Sequence, residues 1–364
     1  PDYAATLRRI AADGSGAFHQ GATADAIVAA VAGSGIAPGD VTHADLASYA
    51  VTLRPPLCTP YRTYRVCGMG PPSSGGLVVA QTLLMLDRFD LGRAPSDALN
   101  LQAMHLVAEA EKLAYADRDR YVADPDFVPV PVGLTDRGYL DSRGATITPG
   151  RVMPPPAAGE PPRLGRQSRD QFGIDATRES VGTTHLSVID GEGNAVAMTS
   201  TIEAAFGSRL WAAGFLLNNE LTDFSLVPAD AAGRPIANRV EGGKRPRSSM
   251  APTIVFDTEG RVFAVLGSPG GARIPLYVVK TLVALIDWRL DAQTAATLQN
   301  FGSRGSTFEI EAGWRTLWDG LRLSALGHRV VPDLMTSGTH IVVRRGAQLE
   351  GGADPRREGI ALGD

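Results

Sequence analysis

Gly182-Thr183-Thr184-His185-Leu186-Ser187-Val188-Ile189-Asp190 is where the character of this chain changes. The alternation over 184–190, the polar turn Gly191-Glu192-Gly193-Asn194 and the return over 195–201 predict a β-hairpin. The approach to it is different in kind. Residues 149–182 carry Pro149, Pro154, Pro155, Pro156, Pro161 and Pro162 among Gly, Arg, Asp and Ser, a composition that predicts a flexible linker. A buried strand start rarely needs such a lead. One physical reason for it is that the chain is cut between Gly182 and Thr183. Thr183 then becomes an N-terminal residue whose hydroxyl is a nucleophile and whose own α-amino group, with a pKa of about 8, is the base. Gly182 suits self-cleavage, because it tolerates the dihedrals that bring the Thr183 hydroxyl onto its carbonyl.

Outward from this point the second half reads as β-structure between helices. Residues 251–256 and 261–266 predict a second hairpin around Asp257-Thr258-Glu259-Gly260, and 273–288 an apolar helix. The tail predicts strand 307–311, helix 314–326 and strands 329–331 and 340–345. Upstream, 22–31 has helical composition, and Thr42-x-x-Asp45 is a capping box for a short helix to Tyr49. Residues 54–69 predict two strands, 70–76 a loop, 77–89 a helix and 96–121 a long helix. Hairpin strands with helices on both sides suggest two sheets between helical layers.

Composition bounds the function. With 44% apolar and 20% charged residues, the chain can support a globular core. A net charge of −4 offers nothing to attract a polyphosphate partner. The longest apolar runs, 77–86 and 276–288, are too short to cross a bilayer. The opening Pro1-Asp2-Tyr3-Ala4-Ala5-Thr6-Leu7 reads as mid-domain helix, so the chain is expected to be a fragment and the missing signal peptide says nothing about location. Cys58 and Cys67 flank a predicted hairpin; a disulfide across it and two reduced thiols both remain open. His105 and His185 have no partner spacing for a metal or a triad and read as structural. Gly267–Gly271 imitates a phosphate loop but lacks its lysine and spacing. No Gly-x-Ser-x-Gly is present.

Six motifs occur in a telling order. They are Pro71-Pro72-Ser73-Ser74-Gly75-Gly76, Glu109-Ala110-Glu111-Lys112-Leu113-Ala114-Tyr115-Ala116-Asp117-Arg118 and Gly182-Thr183-Thr184-His185, then Leu217-Asn218-Asn219-Glu220-Leu221-Thr222-Asp223-Phe224, Gly243-Lys244-Arg245-Pro246-Arg247-Ser248-Ser249-Met250-Ala251-Pro252-Thr253 and Gly267-Ser268-Pro269-Gly270-Gly271. In this order the chain resembles the γ-glutamyltransferases, members of the N-terminal-nucleophile hydrolases. The resemblance implies an α+β fold, a four-layer αββα sandwich, made as one precursor that cleaves itself. Residues 1–182 would be the C-terminal part of the large subunit and 183–364 the small subunit.

Carried over motif by motif, Thr183 matches the processing site and nucleophile, and Thr201 a supporting threonine on the partner strand. Glu220 and Asp223 match the pair that holds the substrate's α-amino group. Ser248 and Ser249 match donors to its α-carboxylate, and Gly270 and Gly271 the amides of the oxyanion hole. The implied reaction cleaves γ-glutamyl amides such as glutathione and passes the acyl group to water, an amino acid or a peptide. It needs no metal or organic cofactor, and neither a nucleic-acid partner nor a membrane span is expected. The family's export implies a periplasmic or extracellular home. Two departures stand out. Glu203 replaces a common asparagine beside the amino-acid pocket, and no residue matches an upstream arginine that pairs with the substrate carboxylate. Ser248 and Ser249 are therefore expected to hold a carboxylate with neutral donors only. Rival readings are a glutaryl-cephalosporin acylase, a poly-γ-glutamate hydrolase and a non-catalytic truncated homologue.

Overall fold

The computed structural model describes residues 2–162, 171–177, 179–180 and 182–363. In chain order it has helices α1 (Asp2–Asp13), α2 (Gly16–His19), α3 (Gly21–Ala32) and α4 (His43–Ser48), strands β1 (Leu57–Tyr61) and β2 (Tyr64–Gly68), and helices α5 (Gly75–Leu86), α6 (Leu101–Tyr121) and α7 (Arg137–Gly144). Then come β3 (Thr183–Ile189), β4 (Ala195–Thr201), the short β5 (Trp211–Ala212) and β6 (Phe215–Leu216), β7 (Thr253–Phe256), β8 (Val262–Gly267), α8 (Ile274–Ile286) and α9 (Ala292–Thr297). The tail adds β9 (Phe301–Gly302), β10 (Phe308–Glu311), α10 (Thr316–Ala325), β11 (Val330–Asp333), β12 (His340–Arg345) and β13 (Gln348–Ala353). Among the described residues, no helix is long and apolar enough to cross a membrane.

The chain divides into two compact units. The smaller comprises Pro1–Arg54 with Thr201–Glu220. Its helices close on the β5–β6 ribbon: Phe18 stacks on Phe215 with ring centroids 5.8 Å apart, and the Thr6 hydroxyl donates to the Ala213 carbonyl at 2.7 Å. The capping box at Thr42 and Asp45 forms as read, with both reciprocal bonds present.

The larger unit, Pro55–Ser200 with Leu221–Asp364, is built on a six-stranded antiparallel sheet in the order β1-β2-β7-β8-β12-β13. Strand periodicity divides its residues between two faces. Val255, Ala264, Leu266, Ile341 and Val343 join the main core with α5, α6 and α8. The alternate residues face the other way, and there β3 packs on β8 and β12. Helix, sheet and second sheet are thus stacked in the expected sense. On the far face the His185 ring presses on the last residue of β8: a Cβ on Gly267 would lie 2.3 Å from its Cε1. Only glycine fits there. In the β1–β2 hairpin Cys58 pairs with Cys67 in register, and a disulfide joins them, which resolves the open alternative.

Several boundaries differ from the sequence reading. Helix α5 starts at Gly75, inside the stretch expected to be a loop, because Gly75 packs against the Ser249 and Met250 backbone. The expected long helix from Ser96 is a 3-10 turn, Pro95–Asp97, then Leu99 at φ 57°, and α6 begins only after Asn100 caps Ala103. The expected linker lies partly outside the described residues, at 163–170, Arg178 and Val181. Its described flanks are anchored. Met153 N donates to the buried Glu109 carboxylate at 2.7 Å, and Gly159 N donates to Asp117 at 2.8 Å. Phe172 is buried, and its carbonyl accepts from Arg120 at 2.7 Å. A Pro/Gly segment has little to bury, but buried acids on α6 need its backbone donors.

Lys280 on α8 is wholly buried and donates to the Leu298 carbonyl at 3.1 Å and to Asn300 Oδ1 at 2.9 Å. Burial, helped by the nearby Arg356 charge, brings its pKa down to about 7. The unfolded chain, with an ordinary lysine near 10.5, binds more protons than the folded one between those values, so this group's contribution to stability rises with pH across that window. Urea unfolding of wild type and Lys280→Met at about pH 7 and about pH 10 tests this. Wild type should gain on the variant by a few kcal/mol, on the order expected for a pKa displaced this far. A difference that does not move with pH would show that the ammonium is not depressed.

Candidate active site

Thr183 opens β3 and is buried, as is His185 two residues on, while Thr184 and Leu186 between and beyond them are exposed. The two therefore share the face that packs on the sheet. His185 is fully engaged, with Nδ1 on the Thr199 hydroxyl at 2.8 Å and Nε2 on the Ser187 hydroxyl at 3.0 Å. Burial, with His340 adding to it, lowers its pKa to about 3, so the ring is neutral and reads as structural rather than as a base. Its contact with Gly267 ties the start of β3 to the end of β8. Ser268-Pro269-Gly270-Gly271 follows immediately.

That glycine loop ends in the 3-10 turn Gly271–Arg273, which runs into α8. Gly270 and Gly271 have φ of 145° and 57°, a conformation that side chains disfavour. Arg273 fixes the turn through Glu309 at 2.6 Å and an ion pair with Asp333. Amides at such a helix approach are unpaired by the helix itself, which suits them to a developing oxyanion. The loop is covered: a Cβ on Gly271 would lie 2.0 Å from the Ser180 carbonyl oxygen.

Ser248 and Ser249 are held by the Pro71–Gly76 loop. Ser74 N and its hydroxyl both donate to the Ser248 carbonyl, at 2.6 and 2.7 Å, and Ser248 N donates to the Pro72 carbonyl at 3.2 Å. Against the expectation of neutral donors only, a guanidinium sits among them. Arg118 Nη2 donates to the Ser249 hydroxyl at 2.8 Å, Nε to Ser74 at 3.1 Å and Nη1 to Asp119 at 2.7 Å. The same Nη2 pairs with the Glu179 carboxylate. Burial pushes the Glu179 carboxyl up, but Arg118, Arg247 and the Ser249 hydroxyl outweigh it and hold its pKa below the usual value. Arg247, entirely buried, lies 4.0 Å from Glu179 and 3.2 Å from Asp175.

Asp223 enters the same group through Asn238, whose side chain donates to the Asp223 carbonyl at 2.7 Å and accepts from Arg247 N at 2.9 Å. The sequence reading did not single out Asn238, Glu179 or the guanidinium of Arg118. No spacing signal marks Asn238, and the other two lie in stretches read as a helix motif and a linker. Thus Thr183, Gly270, Gly271, Ser248, Ser249 and Asp223 all belong to the larger unit, and residues 179–180 link the serines to the glycine loop.

Thr201, Glu203 and Glu220 fall in the smaller unit. Thr201 ends β4, the strand paired with β3, and its hydroxyl accepts from Glu203 N at 2.9 Å. Glu203, at φ 70°, accepts from Asn219 Nδ2 at 2.6 Å. Glu220 opens the 3-10 turn Glu220–Asp223 that closes on Asp223.

One group of described residues has ligand atoms close enough for a metal, the buried His105, Glu109 and His328, all within 4.8 Å of one another. Its places are taken. Lys112 Nζ sits on Glu109 at 2.5 Å, and His105 Nδ1 meets His328 Nε2 at 2.8 Å. A lysine ammonium already supplies the cation that this carboxylate needs.

With the geometry set out, comparison with known proteins is informative. The family model described as gamma-glutamyltranspeptidase matches residues 1–364. The glutathione hydrolase proenzyme of Escherichia coli (strain K12) is 37% identical over 364 residues, covering 98% of this chain and 60% of its own. That of Bacillus subtilis (strain 168) is 34% identical, covering 100% of this chain and 61% of its own. The acylase ACY 1 proenzyme of Pseudomonas sp. (strain SE83) is 35% identical over 93% of this chain and 56% of its own. The chain thus spans about three-fifths of the length of these relatives. A cephalosporin acylase from Bacillus halodurans superposes with a TM-score of 0.81, at 24% identity, over 99% of this chain and 61% of that one, a likeness of fold. The α+β sandwich expected from the sequence is the fold these structures share. Matched from end to end by the family model, and a third or more identical to its proenzymes, this chain belongs to the γ-glutamyltranspeptidase family.

Proposed function

We propose that the protein is a self-processing γ-glutamyltransferase and hydrolase. The observation that carries this reading is the placement of residues 179–180 and of Thr183. The first two run from the Arg118–Ser249 cluster across Gly271, and Thr183 is a buried threonine at a strand start.

In processing, the Thr183 hydroxyl adds to the Gly182 carbonyl, the peptide nitrogen leaves as the Thr183 amine, and water hydrolyses the resulting ester. Gly182 keeps a carboxylate and Thr183 a free α-amino group. In turnover that amine accepts the proton of the Thr183 hydroxyl as it attacks the γ-amide carbonyl. The Gly270 and Gly271 amides receive the oxyanion, each such donor contributing on the order of 3–4 kcal/mol to the barrier reduction. The amine proton passes to the leaving amide nitrogen, and a γ-glutamyl ester remains on Thr183. Water returns glutamate; an amino acid or peptide amine yields a new γ-glutamyl amide. Thr201 supports the nucleophile, Glu220 and Asp223 attract the substrate's ammonium, and Ser248 and Ser249 donate to its carboxylate.

The two products of processing, one ending at Gly182 and one beginning at Thr183, stay together as one enzyme on this reading. A periplasmic or extracellular home suits the Cys58–Cys67 disulfide, which persists in oxidising surroundings. A second reading changes only the substrate. The ACY 1 relative is named an acylase, and Glu203 departs from the family's common asparagine on the loop after β4, so a glutaryl side chain is the alternative acyl group. Glutaryl groups lack an α-amino group, and the acidic pair Glu220 and Asp223 favours a substrate that has one.

Thr183→Ala is expected to abolish both cleavage and turnover; by mass, the chain should remain a single species. A Thr183→Ala chain found cut before residue 183 would end the nucleophile assignment. Asp223→Ala should leave cleavage intact and lower kcat/KM on γ-glutamyl anilides by 10²-fold or more, roughly the loss seen when one partner of a close charge pair is removed. Rates on γ-glutamyl and glutaryl anilides separate the two substrate readings, and faster glutaryl cleavage would reverse their order.

A further inference from the structure

Glu179 lies four residues before Thr183, in a segment whose expected role is to connect, yet its side chain is 6% exposed and faces two guanidinium groups. All three guanidinium nitrogens of Arg118 donate, to Ser74, Asp119, Ser249 and Glu179. Arg247 pairs with Asp175, and its Nε and Nη1 have no hydrogen-bond partner among the described residues. Carrying a charged glutamate into such a place is costly unless it is matched there, and it is matched well. Remove Glu179, and one Arg118 N–H and one face of Arg247 lose their anion while both remain buried.

The placement resembles that of a ligand. A glutamate residue separates its side-chain carboxylate from its own carbonyl by one α-carbon and two methylenes. A γ-glutamyl group separates its α-carboxylate from its γ-carbonyl by the same run of carbons, in the opposite sense. In Glu179 the carboxylate rests beside Arg118 and Ser249, and its carbonyl oxygen is 3.5 Å from where a Gly271 Cβ would stand. One anion and one carbonyl are thus presented to the two surfaces that the proposed substrate needs. The Ser180 carbonyl then closes directly on Gly271. Asn238, joining the Asp223 carbonyl to Arg247 N, keeps the acid for the ammonium beside the same seat.

We propose that in the uncut chain the Glu179 carboxylate occupies the seat beside Arg118 and Ser249 that the substrate's α-carboxylate takes once the segment ending at Gly182 has withdrawn. Glu179 is then a built-in occupant that keeps the charged pocket folded and closed until cleavage, and Arg118 is the cation its departure frees. The inference rests on Gly182–Thr183 being the processing bond and on a substrate that carries an α-carboxylate.

Calorimetric titration with L-glutamate tests it in three full-length proteins: processed wild type, uncut Thr183→Ala and uncut Thr183→Ala/Glu179→Ala. Wild type should bind. Thr183→Ala should bind at least about tenfold more weakly, because its pocket is filled, and the added Glu179→Ala should recover about tenfold or more. Since emptying the pocket removes one of the anions around two buried guanidiniums, leaving Asp119 on Arg118 and Asp175 on Arg247, Thr183→Ala/Glu179→Gln is run in parallel. It keeps the side chain's volume and an oxygen for Arg118, and should recover part of the affinity. Thr183→Ala binding as tightly as wild type, or no gain in either Glu179 variant, would overturn the inference and leave the proposed function standing. A wild-type chain that is never cut before Thr183, or that once cut binds no glutamate, overturns the proposed function and this inference with it.

Discussion

Everything around the candidate site depends on the charges buried along α6. Glu109, Glu111, Lys112, Asp117, Arg118 and Arg120 are all nearly or wholly inaccessible on one helix. None can be left unmatched, since breaking a buried pair costs several kcal/mol, on the order of 3–5. Their partners come from far along the chain: Arg143 and Gly159 on Asp117, Met153 on Glu109, Phe172 on Arg120, Ser249 and Glu179 on Arg118. Glu111 is handled otherwise. Burial drives its carboxyl pKa well up, Glu309 adds to this, and Ser303 N donates to it at 2.9 Å. The helix works less as an amphipathic surface than as a polar spine that fixes the register of irregular chain.

This explains why loops with no regular structure are placed well enough to make a site. The Pro71–Gly76 loop carries Ser74 to Arg118 and to the Ser248 carbonyl together, so two motifs remote in sequence are clasped by one guanidinium and two hydroxyls. The glycine loop is fixed from the other side, by the β8 strand before it and the Arg273 ion pairs after it. Because a hydrogen bond to a charged group contributes about twice a neutral one, such positioning is strong for its size.

How much of this is legible in the sequence varies with the physics involved. The hairpins at 184–201 and 251–266 are, because period-two alternation and turn residues are local signals. The capping box at Thr42 and Asp45 is local too. The start of α6 is not. Pro95 and Asn100 both favour helix entry, and only the packing of Leu99 at positive φ places the break between them. Strand β13 escapes notice because Gly351 and Gly352 weaken its pattern, while pairing along all of β12 restores it. At the candidate site, the residues to which the proposed reading gives chemistry stand in quoted motifs, whereas those that hold them do not stand out. Arg118 stands in a quoted motif, but nothing local says that it reaches Ser249. Asn238 and Glu179 lie in stretches whose composition suggests turns, and their partners lie 15 and 61 positions away.

The burial of Thr183 in the uncut chain sharpens what cleavage must accomplish on the proposed reading. At 9% exposed, the threonine is buried, and the Ser180 carbonyl lies across Gly271. A nucleophile so enclosed is committed to a single intramolecular reaction, which proximity favours. Afterwards the same cut has two consequences that require each other. It creates the amine that serves as base, and it unties the chain whose glutamate matches the buried guanidiniums. A base without an empty pocket has no substrate, and an empty pocket leaves Arg118 with Asp119 and Arg247 with Asp175 but takes away the anion they share. Joining the two to one bond fills the seat beside Arg118 before processing and leaves it to an anionic ligand after it.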